Sequence, residues 1–433
     1  MKKRIFKKQN IFIVLSILFI TGCCIFYGGR FVYYYLDSKK PETDKSFSAL
    51  LKSNNMNNKN FKVISTSYYF TDSDNDNYVL YSGVLFRAFK IDSEERIYLI
   101  SDSSVTSLAM GENKIFTNSY IKEWLNKSNN DNSGILSKNL VTSSLVNTRV
   151  CVDKKDKANN NECNKYVSDY LIGLLDMEDY INMGGSKSFV NTGEDFYLVN
   201  NNGKKDWYVT NSGNVALSDG TNVIGVKPVV SLKSDIQVKS GSGKKDDPYV
   251  IDSSYFGSYV KLGNDTWRVI GEEENNLRLL LTDYLKVNGT KLEYAYSTSN
   301  YKYDSTKKNT LAYYLNHTYL NSLSYENVII SSNYYNGYYG ADNDYDYKKT
   351  FATTVKARVG ILSIGDINLN KFTNTALATG VNKSGNLVYV TSTNSSLAKD
   401  NVTSDLNVVP VITISKSSLK TGDGTSKKPY GLE

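Results

Sequence analysis

The sequence contains a single histidine, His317, among 433 residues. Histidine is the side chain most often used as a general acid or base near neutral pH, so its scarcity removes the commonest route to acid–base catalysis. The Gly-x-x-x-x-Gly-Lys-Ser/Thr phosphate loop, the His-Glu-x-x-His zinc motif and the Gly-x-Ser-x-Gly nucleophile motif do not occur. No combination of acid, base and nucleophile can be identified, and we predict that the protein is not an enzyme.

Proline is also scarce, and its distribution indicates how the chain is organised. Four of the five prolines lie in two copies of one phrase. Each copy has a Val-x-Pro-Val strand, a glycine-containing turn and a final Pro-Tyr. Pro228 and Pro248 belong to the first copy, and Pro410 and Pro429 follow 182 and 181 positions later. Repetition at this spacing indicates a duplicated fold unit. His317 has no counterpart in the first copy, which also argues against a histidine site built twice.

Other segments recur in the same order. Each copy opens with a β-hairpin, at 84–100 and 266–281, whose two strands flank an acidic turn. A helix with apolar residues at i, i+3 and i+4 follows, and it ends in Trp124-Leu125-Asn126 or Tyr314-Leu315-Asn316. The proline of each closing phrase cannot donate to a sheet, so we expect it at an edge or a strand start. Helices among antiparallel strands predict an α+β fold.

A resemblance to known proteins follows from these motifs. The succession Trp-Arg-Val-Ile (267–270), Tyr-Leu-Asn (314–316), Val-x-Pro-Val (408–411) and Gly-Asp-Gly-Thr-x-x-x-Pro-Tyr (422–430) resembles an uncharacterised surface domain of Firmicutes and Mollicutes-like bacteria. That domain is distantly similar to the C-type-lectin and sulfatase-modifying-factor fold. The resemblance implies two tandem C-type-lectin-like modules, which we place at 61–252 and 253–433. It implies no activity and no site residue.

The positive charge of the chain is concentrated near its N-terminus. The formal net charge is +7, and residues 1–30 contribute six of these charges because they contain six basic residues and no acid. The rest of the chain is nearly neutral, so it lacks the basic surface that nucleic-acid binding requires. We therefore expect no nucleic-acid partner.

Residues 11–29 form a 19-residue stretch without charge. At about 1.5 Å per residue, a helix of this length crosses a bilayer core of about 30 Å. The preceding basic residues favour a cytoplasmic N-terminus. We predict a cytoplasmic tail at 1–10, a signal-anchor helix at 11–29 that attaches a single-pass protein to the cell membrane, a stalk at 30–60 and an extracellular remainder. The alternative is a lipoprotein, because residues 20–23 resemble a lipobox with Cys23 as the lipidated residue.

The other cysteines of interest are Cys151 and Cys163, which flank a polar loop. Two cysteines are too few for a zinc site, and His317 lies in the other copy. We therefore predict a disulfide between them. In an oxidising compartment it would stabilise the fold by about 3 kcal/mol.

Two acidic segments, 72–76 and 342–346, resemble the beginning of a calcium loop. Both are incomplete, since Asn77 and Gly83 occupy the positions in the first segment where a calcium loop has glycine and glutamate. Solvated loops are the preferred interpretation, and calcium binding is the alternative. We predict no other cofactor and no metal site.

A tyrosine-rich segment at 334–342 is the best candidate for a contact surface. Tyrosine offers a large rigid face and a hydroxyl at low entropic cost, and glycine and asparagine give an adaptable backbone, as in binding loops. The other interpretation is an ordinary loop in a chain with 35 tyrosines. The predicted ligand-contact residues are Tyr334, Tyr335, Tyr338, Tyr339 and Asp342.

These observations lead to one functional prediction. We expect a membrane-anchored extracellular binding or adhesion protein whose ligand is a glycan, a cell-wall component or another protein. The alternative is a structural or sensory component of a cell-envelope assembly. A surface hydrolase or modifying enzyme is less favoured, because no catalytic group can be named.

Overall fold

The computed structural model describes residues 46–71, 75–128, 132–147, 149–154, 163–383 and 385–432. The cytoplasmic tail, the membrane helix at 11–29 and the alternative lipidation site Cys23, all predicted from the sequence, lie outside these residues. Among the described helices none is long and apolar enough to span a bilayer. The longest α-helix has nine residues, whereas a spanning helix needs about 20. This finding, which concerns the described residues alone, contradicts the prediction of a single-pass membrane protein with a cytoplasmic N-terminus and an extracellular remainder.

The described part of the chain divides into a first half, residues 46–252, and a second half, residues 253–432. The first half contains the strands β1 (Phe61–Ile64), β2 (Ser67–Phe70), β3 (Tyr78–Tyr81), β4 (Val84–Ile91), β5 (Ile97–Ser101), β6 (Thr106–Leu108), β7 (Val150–Asp153), β8 (Lys165–Val167), β9 (Ile172–Gly173), β10 (Phe196–Asn201), β11 (Asp206–Val209), β12 (Val215–Ser218), β13 (Ile224–Val226), β14 (Val229–Leu232) and β15 (Tyr249–Val250). Its helices are α1 (Phe47–Asn55), α2 (Tyr120–Leu125) and α3 (Met177–Asn182).

The second half contains the strands β16 (Tyr259–Leu262), β17 (Asp265–Glu273), β18 (Asn276–Leu281), β19 (Lys286–Val287), β20 (Thr290–Lys291), β21 (Glu293–Ala295), β22 (Ser332–Tyr335), β23 (Thr354–Ala357), β24 (Val359–Gly360), β25 (Ala376–Gly380), β26 (Leu387–Thr391), β27 (Leu397–Asn401), β28 (Asp405–Asn407), β29 (Val411–Ser415) and β30 (Tyr430–Gly431). Its helices are α4 (Leu311–Tyr314), α5 (Leu320–Ser322) and α6 (Lys348–Phe351), and a π-helical segment, Leu315–Tyr319, joins α4 to α5.

Corresponding strands follow the same order in both halves. The first sheet contains the order β9-β14-β5-β4-β3-β15, and the second runs β24-β29-β18-β17-β16-β30. Neighbouring strands are antiparallel except the last pair, which is parallel in both halves. Only the first sheet is extended by β2 and β1, which pair beyond β4. The phrases repeated in the sequence therefore correspond to a repeated strand order.

The irregularities of the two sheets are repeated as well. The β4–β5 register shifts between Ala88 and Lys90, and the β17–β18 register shifts between Val269 and Gly271, which are 181 positions further along. A bulge of this kind increases the local twist of a hairpin, so both hairpins bend at the same place. Pro228 and Pro410 immediately precede β14 and β29, at the strand starts predicted for them.

The turn in each closing phrase requires glycine. Gly241 and Gly422 have φ values of +94° and +84°. A Cβ at these positions would lie 1.9 Å from the carbonyl oxygen of Pro248 and 2.0 Å from that of Pro429. Any other residue would add both backbone strain and a steric clash. The turn brings the Pro-Tyr strand back alongside β3 or β16, where it closes the edge of the sheet.

The fold class predicted from the sequence is wrong. The described part of the chain is mostly β, with 35% strand and 15% helix, so its helices do not form the second layer of an α+β, C-type-lectin-like module. The apolar spacing at Ile121, Trp124 and Leu125 does produce a helix, but α2 has only six residues. The spacing reports which face is buried and not how far the helix continues.

Both halves contribute to one interior. Residues Ser46–Glu433 form a single compact unit, and buried side chains from both halves make one continuous hydrophobic cluster. Contacts across the boundary are specific: the indole N–H of Trp124 donates to the carbonyl of Gly365 at 2.8 Å, and the hydroxyl of Tyr339 accepts the amide of Ala109 at 2.9 Å. The described part of the predicted stalk is also folded, with Phe47 of α1 fully buried.

The repeated asparagine of the helix phrases connects each helix to a short strand. The side-chain oxygen of Asn126 accepts the amide of Ile172 at 3.0 Å, and its nitrogen donates to the carbonyl of the same residue at 2.7 Å. Asn316 makes the corresponding pair of bonds to Val359, at 3.0 and 2.8 Å. Each asparagine therefore completes the hydrogen bonding of β9 or β24 where no further strand pairs with it, and this explains why the phrase recurs.

We expect Asn316→Ala to lower the free energy of unfolding by about 2 kcal/mol, because it leaves the buried amide of Val359 without its acceptor, although the Val359 carbonyl keeps the hydroxyl of Tyr303. Asn126→Ala should cost a similar amount in the first half. The matched control is Asn321→Ala, an exposed asparagine five residues along the same helix, which should cost less than about 0.5 kcal/mol. Urea unfolding followed by circular dichroism would measure all three. Equal stability of the Asn316→Ala and Asn321→Ala variants would contradict this account of the repeated asparagine.

Candidate functional site

The predicted contact segment is only partly exposed. Tyr334 and Tyr339 are fully buried, and their hydroxyls bond within the fold, Tyr334 to the carbonyl of Val411 at 3.0 Å and Tyr339 to the amide of Ala109. Tyr335 and Tyr338 are partly buried, and the ring of Tyr335 stacks on Phe351 with centroids 3.9 Å apart. Asp342 is exposed. A contact role for Tyr335, Tyr338 and Asp342 stays a prediction.

The predicted disulfide is present. Cys151 and Cys163 are bonded, with Cα atoms 5.7 Å apart. Cys151 lies on β7, whose partner β8 begins two residues after Cys163, so the bond closes this hairpin. The amide of Cys151 also donates to the carboxylate of Asp176, the N-cap of α3, at 3.0 Å. The bond therefore lies at a junction between a hairpin and a helix.

In the described parts of the two acidic segments considered for calcium, most carboxylates of the second segment are paired with lysines. Residues 72–74 of the first segment lie outside the described residues. In the second, Asp344 forms an ion pair with Lys349, and Asp346 lies 3.7 Å from Lys348. Within the described ranges, no group of three or more His, Cys, Asp or Glu side chains could hold a metal ion.

A cleft in the second half has a volume of about 850 Å³. We call it the tyrosine cleft. Two segments line it, the first from the β16–β17 turn to the β19–β20 hairpin and the second from the helix to the turn after it. Its lining residues are Asn264, Asp265, Thr266, Leu281, Thr282, Asp283, Tyr284, Leu285, Lys286, Val287, Asn288, Tyr314, Thr318, Tyr319, Ser322, Leu323, Ser324 and Tyr325.

Features found only in the second half form this cleft. In the first half, β5 leads to β6 through four residues, 102–105, whereas the corresponding connection in the second half, 282–292, carries the β19–β20 hairpin. In the first half the helix ends at Leu125, whereas in the second it continues through the π segment to Ser322. π-helical turns are rare and often occur at functional sites. The described residues of the first half have no counterpart of the β19–β20 hairpin or of the π segment.

The helix directs one face towards the cleft. Thr310 caps its N-terminus, since its hydroxyl accepts the amide of Tyr313 at 3.2 Å. Tyr314, Thr318 and Ser322 follow at intervals of four residues, so they share one side of the helix. The ring of Tyr314 is held by Tyr294, which stacks on it with centroids 4.9 Å apart. His317 lies on another side, exposed and stacked on Tyr313.

Three polar groups meet at one wall of the cleft. The hydroxyl of Tyr325 donates to the Oδ2 atom of Asp265 in a short hydrogen bond. The neighbouring Tyr319 is buried, and its hydroxyl makes no hydrogen bond of normal geometry within the described chain. Burial raises the pKa of both tyrosines well above the ordinary value, and the charge of Asp265 raises them further. Both phenols are therefore neutral across the physiological pH range.

The cleft also contains a lysine and an aspartate that neutralise each other. Lys286 Nζ lies 2.5 Å from Asp283 Oδ2, and both side chains are about half exposed. The hydrogen bond from Lys286 holds the pKa of Asp283 below its ordinary value. Asp265 forms no ion pair with a lysine or arginine of the described chain, so it is the acid of this cleft whose charge is not compensated.

A smaller cavity, of about 80 Å³, lies between the two halves. Hydroxyl and amide side chains line it around Glu194, which is 1% exposed. The carboxylate of Glu194 accepts hydrogen bonds from Ser104, Thr192 and Ser395 and pairs with two lysines. Because its bonding is complete, we interpret this region as a structural junction.

The sequence analysis did not identify the tyrosine cleft. Its residues form no motif, and they come from two segments, 264–288 and 314–325, that are separated by 25 residues. One signal was available: aligning the halves shows that 286–291 has no counterpart in the first half, and the tyrosines at 314, 319 and 325 follow it. No protein-family model, curated protein or solved structure matches the chain. The resemblance to a bacterial surface domain therefore stays a prediction.

Proposed function

We propose that this protein is a non-catalytic binding protein and that it holds its ligand in the tyrosine cleft. The observation that carries the proposal is the asymmetry between the halves. A duplicated scaffold without a special role needs no additional hairpin and no π-helical turn, yet within the described residues both occur only in the second half, and both line one cavity. Loops and irregular turns on a rigid scaffold are where binding sites usually form.

The composition of the cleft supports binding over catalysis. Binding cavities are concave, hold a few well-oriented polar groups and fall in the range of about 300–1,000 Å³. The tyrosine cleft has that size, tyrosine faces and an oriented carboxylate. It contains no histidine and no cysteine, and its second carboxylate is bound to Lys286. A general acid and a general base of matched strength would need two independent titrating groups.

We expect Ser322→Trp to abolish ligand binding by filling the cleft, with a loss of affinity of at least about tenfold, or about 1.4 kcal/mol. Ser322 is exposed on the helix and its hydroxyl donates to the carbonyl three residues earlier, at 2.6 Å. Ser53 on α1 is a matched control, exposed and bonded to its own i−3 carbonyl at 2.9 Å. Ser53→Trp should leave binding unchanged.

Saturation-transfer NMR of the full chain against a library of small polar molecules would make the measurement without assuming a ligand class. Molecules that bind the wild type and the Ser53→Trp variant, but not the Ser322→Trp variant, would support the cleft as the binding site. A set of binders that Ser322→Trp leaves unaffected would place the ligand elsewhere and overturn the proposal.

A further inference from the structure

We infer that the ligand of the tyrosine cleft is a carbohydrate, and that Asp265 accepts hydrogen bonds from its hydroxyl groups. The inference rests on the proposed function, because it names the ligand class of that same site. Three features of the cleft carry it: an uncompensated carboxylate with a free oxygen, aromatic rings held in fixed orientations, and a lining of neutral hydroxyls and amides.

The carboxylate is oriented before any ligand arrives. Asp265 begins β17, where its backbone is held by pairing with Leu262 of β16. Its Oδ2 atom accepts a hydrogen bond from the hydroxyl of Tyr325, which is 4% exposed, and the buried Tyr319 neighbours both groups. The other oxygen forms no ion pair within the described chain. A carboxylate has about four acceptor positions, so Asp265 retains acceptor capacity towards the cleft.

Tyr325 is therefore a positioning residue. A carboxylate already fixed in one rotamer loses less conformational entropy when it binds a ligand than a mobile one. The buried phenol also excludes water from that side of the carboxylate. Acceptors of this kind favour ligands with several hydrogen-bond donors, and sugars carry a hydroxyl on most ring carbons.

The aromatic rings match the other property of a sugar, its apolar C–H face. Tyr314 is held on one side by Tyr294, and Tyr284 packs edge-on against Phe372 with centroids 5.4 Å apart. The hydroxyl of Tyr284 also accepts the amide of Thr373 at 2.9 Å, which fixes the ring further. The electron-rich face of an aromatic ring attracts the positive edge of C–H groups.

The lining completes the match. Hydroxyl and amide side chains both donate and accept hydrogen bonds, as sugar hydroxyls do. Besides its tyrosines, the cleft contains seven of them: Asn264, Thr266, Thr282, Asn288, Thr318, Ser322 and Ser324. An amine ligand would instead favour several uncompensated acids or a closed aromatic cage. Here Asp283 is already paired with Lys286, so a single acid remains for a cation.

The test uses the full chain and named probes. The trisaccharides of N-acetylglucosamine, glucose (β-1,4 and α-1,4), xylose and mannose would be titrated by isothermal calorimetry, with spermidine as the amine probe. We expect at least one trisaccharide to bind and Asp265→Asn to weaken it about tenfold or more, because a charged acceptor is lost. Asp283→Asn, on the same cleft, is the matched control and should change affinity less than about threefold.

The positioning role of Tyr325 is tested by a phenylalanine variant, and the contact of Asp265 with the sugar is tested by specificity rather than by affinity alone. Tyr325→Phe should weaken the trisaccharide several-fold. Mono-O-methyl derivatives of that trisaccharide should identify one hydroxyl whose methylation harms binding to the wild type but adds no further loss in Asp265→Asn. A purely structural role of Asp265 would leave the methylation penalty unchanged, and that result would overturn the inference.

The failure of the inference and the failure of the proposed function would be distinguishable. Spermidine binding that Ser322→Trp abolishes, without trisaccharide binding, keeps the cleft as the site and overturns the carbohydrate assignment. Absence of binding by every trisaccharide in the panel also counts against that assignment. Trisaccharide binding that Ser322→Trp does not affect would overturn the cleft itself.

Discussion

Glu194→Ala is expected to lower the free energy of unfolding by about 3–5 kcal/mol, the usual result of leaving a buried charge without its partner. Lys227 is fully buried, and its Nζ lies 3.1 Å from Glu194 Oε2. Burial lowers the pKa of Lys227, although Glu194 works in the opposite direction. Burial alone would raise the pKa of Glu194, but Lys227 and Lys371 bring it below the ordinary value.

Glu194 also connects the two halves. Its Oε1 atom accepts the hydroxyl of Ser395 at 2.8 Å and lies 3.4 Å from Lys371, both in the second half. Removing the carboxylate therefore leaves a buried ammonium in the first half and breaks two contacts across the boundary. Removing the lysine instead, as in Lys227→Val, should lower the free energy of unfolding by less, because the Glu194 carboxylate keeps Lys371 and its hydroxyl and amide donors.

The second half shows how the pair can be replaced. The parallel pairing Phe196↔Gly225 of the first half corresponds to Thr375↔Asn407 of the second. Two residues before and two residues after these pairs, Thr373 and Val409 occupy the positions of Glu194 and Lys227. We expect the double variant Glu194→Thr/Lys227→Val to be more stable than Glu194→Ala, because no unpaired charge remains. Exposed Glu112→Ala is the control, with an expected change below about 0.5 kcal/mol. Denaturant unfolding that ranks the double variant below Glu194→Ala would contradict this explanation.

The second large effect depends on pH. Asp206 lies on β11 with 3% of its surface exposed and forms no ion pair with a lysine or arginine of the described chain. Burial raises its pKa to about 8, and the charge of Asp219 adds to the increase. In the unfolded chain the same carboxyl titrates near pH 4. The folded state therefore binds this proton more tightly, and stability is lost as the pH rises from about 4 to about 8.

Asp206→Asn removes that dependence, because the amide does not ionise. Its stability relative to the wild type should rise by about 2–4 kcal/mol between pH 5 and pH 8. Urea unfolding of both proteins at the two pH values measures the difference. Burial also raises the pKa of Asp176, to about 6, so the comparison must be between variant and wild type at each pH.

Asp219→Asn provides the control for the electrostatic part. Asp219 is exposed, and hydrogen bonds from Thr221 hold its pKa below the ordinary value, so its own titration contributes little above pH 5. Removing the charge of Asp219 should lower the pKa of Asp206. In the Asp219→Asn variant the loss of stability with rising pH should therefore be complete at a lower pH than in the wild type. An Asp206→Asn variant whose advantage is the same at pH 5 and pH 8 would show that Asp206 is ionised in the fold at both values.

Some local features could be predicted because neighbouring residues determine them. The disulfide between Cys151 and Cys163 required only two cysteines across a short polar loop, and the strand-start positions of Pro228 and Pro410 required only that proline lacks an amide hydrogen. The burial of Trp124 followed from the apolar spacing around it. These inferences use the residue and its nearest neighbours, where propensity and periodicity are informative.

The errors have a common cause. The helix at Trp124 was predicted at the correct place, but it is too short to support an α+β fold class. It ends at Asn126, whose side chain bonds to Ile172, 46 positions away, so its length could not be predicted from the neighbouring residues. Tyr334 and Tyr339 were predicted from composition as ligand-contact residues, and the structure places both in the core, where their hydroxyls bond to the Val411 carbonyl and the Ala109 amide. Composition cannot distinguish a tyrosine that faces a ligand from one that bonds within the core.

The sequence by itself determined that one unit is used twice, because the spacing of the prolines, hairpins and helix phrases is visible without any coordinates. Only the tertiary structure decided that the two copies share one interior, and that a cleft with Asp265 and Tyr325 occurs in just one of them. The physical reason is distance along the chain. Repeats and turns depend on residues that are adjacent in sequence, whereas a cleft depends on which distant segments the sheet order brings together.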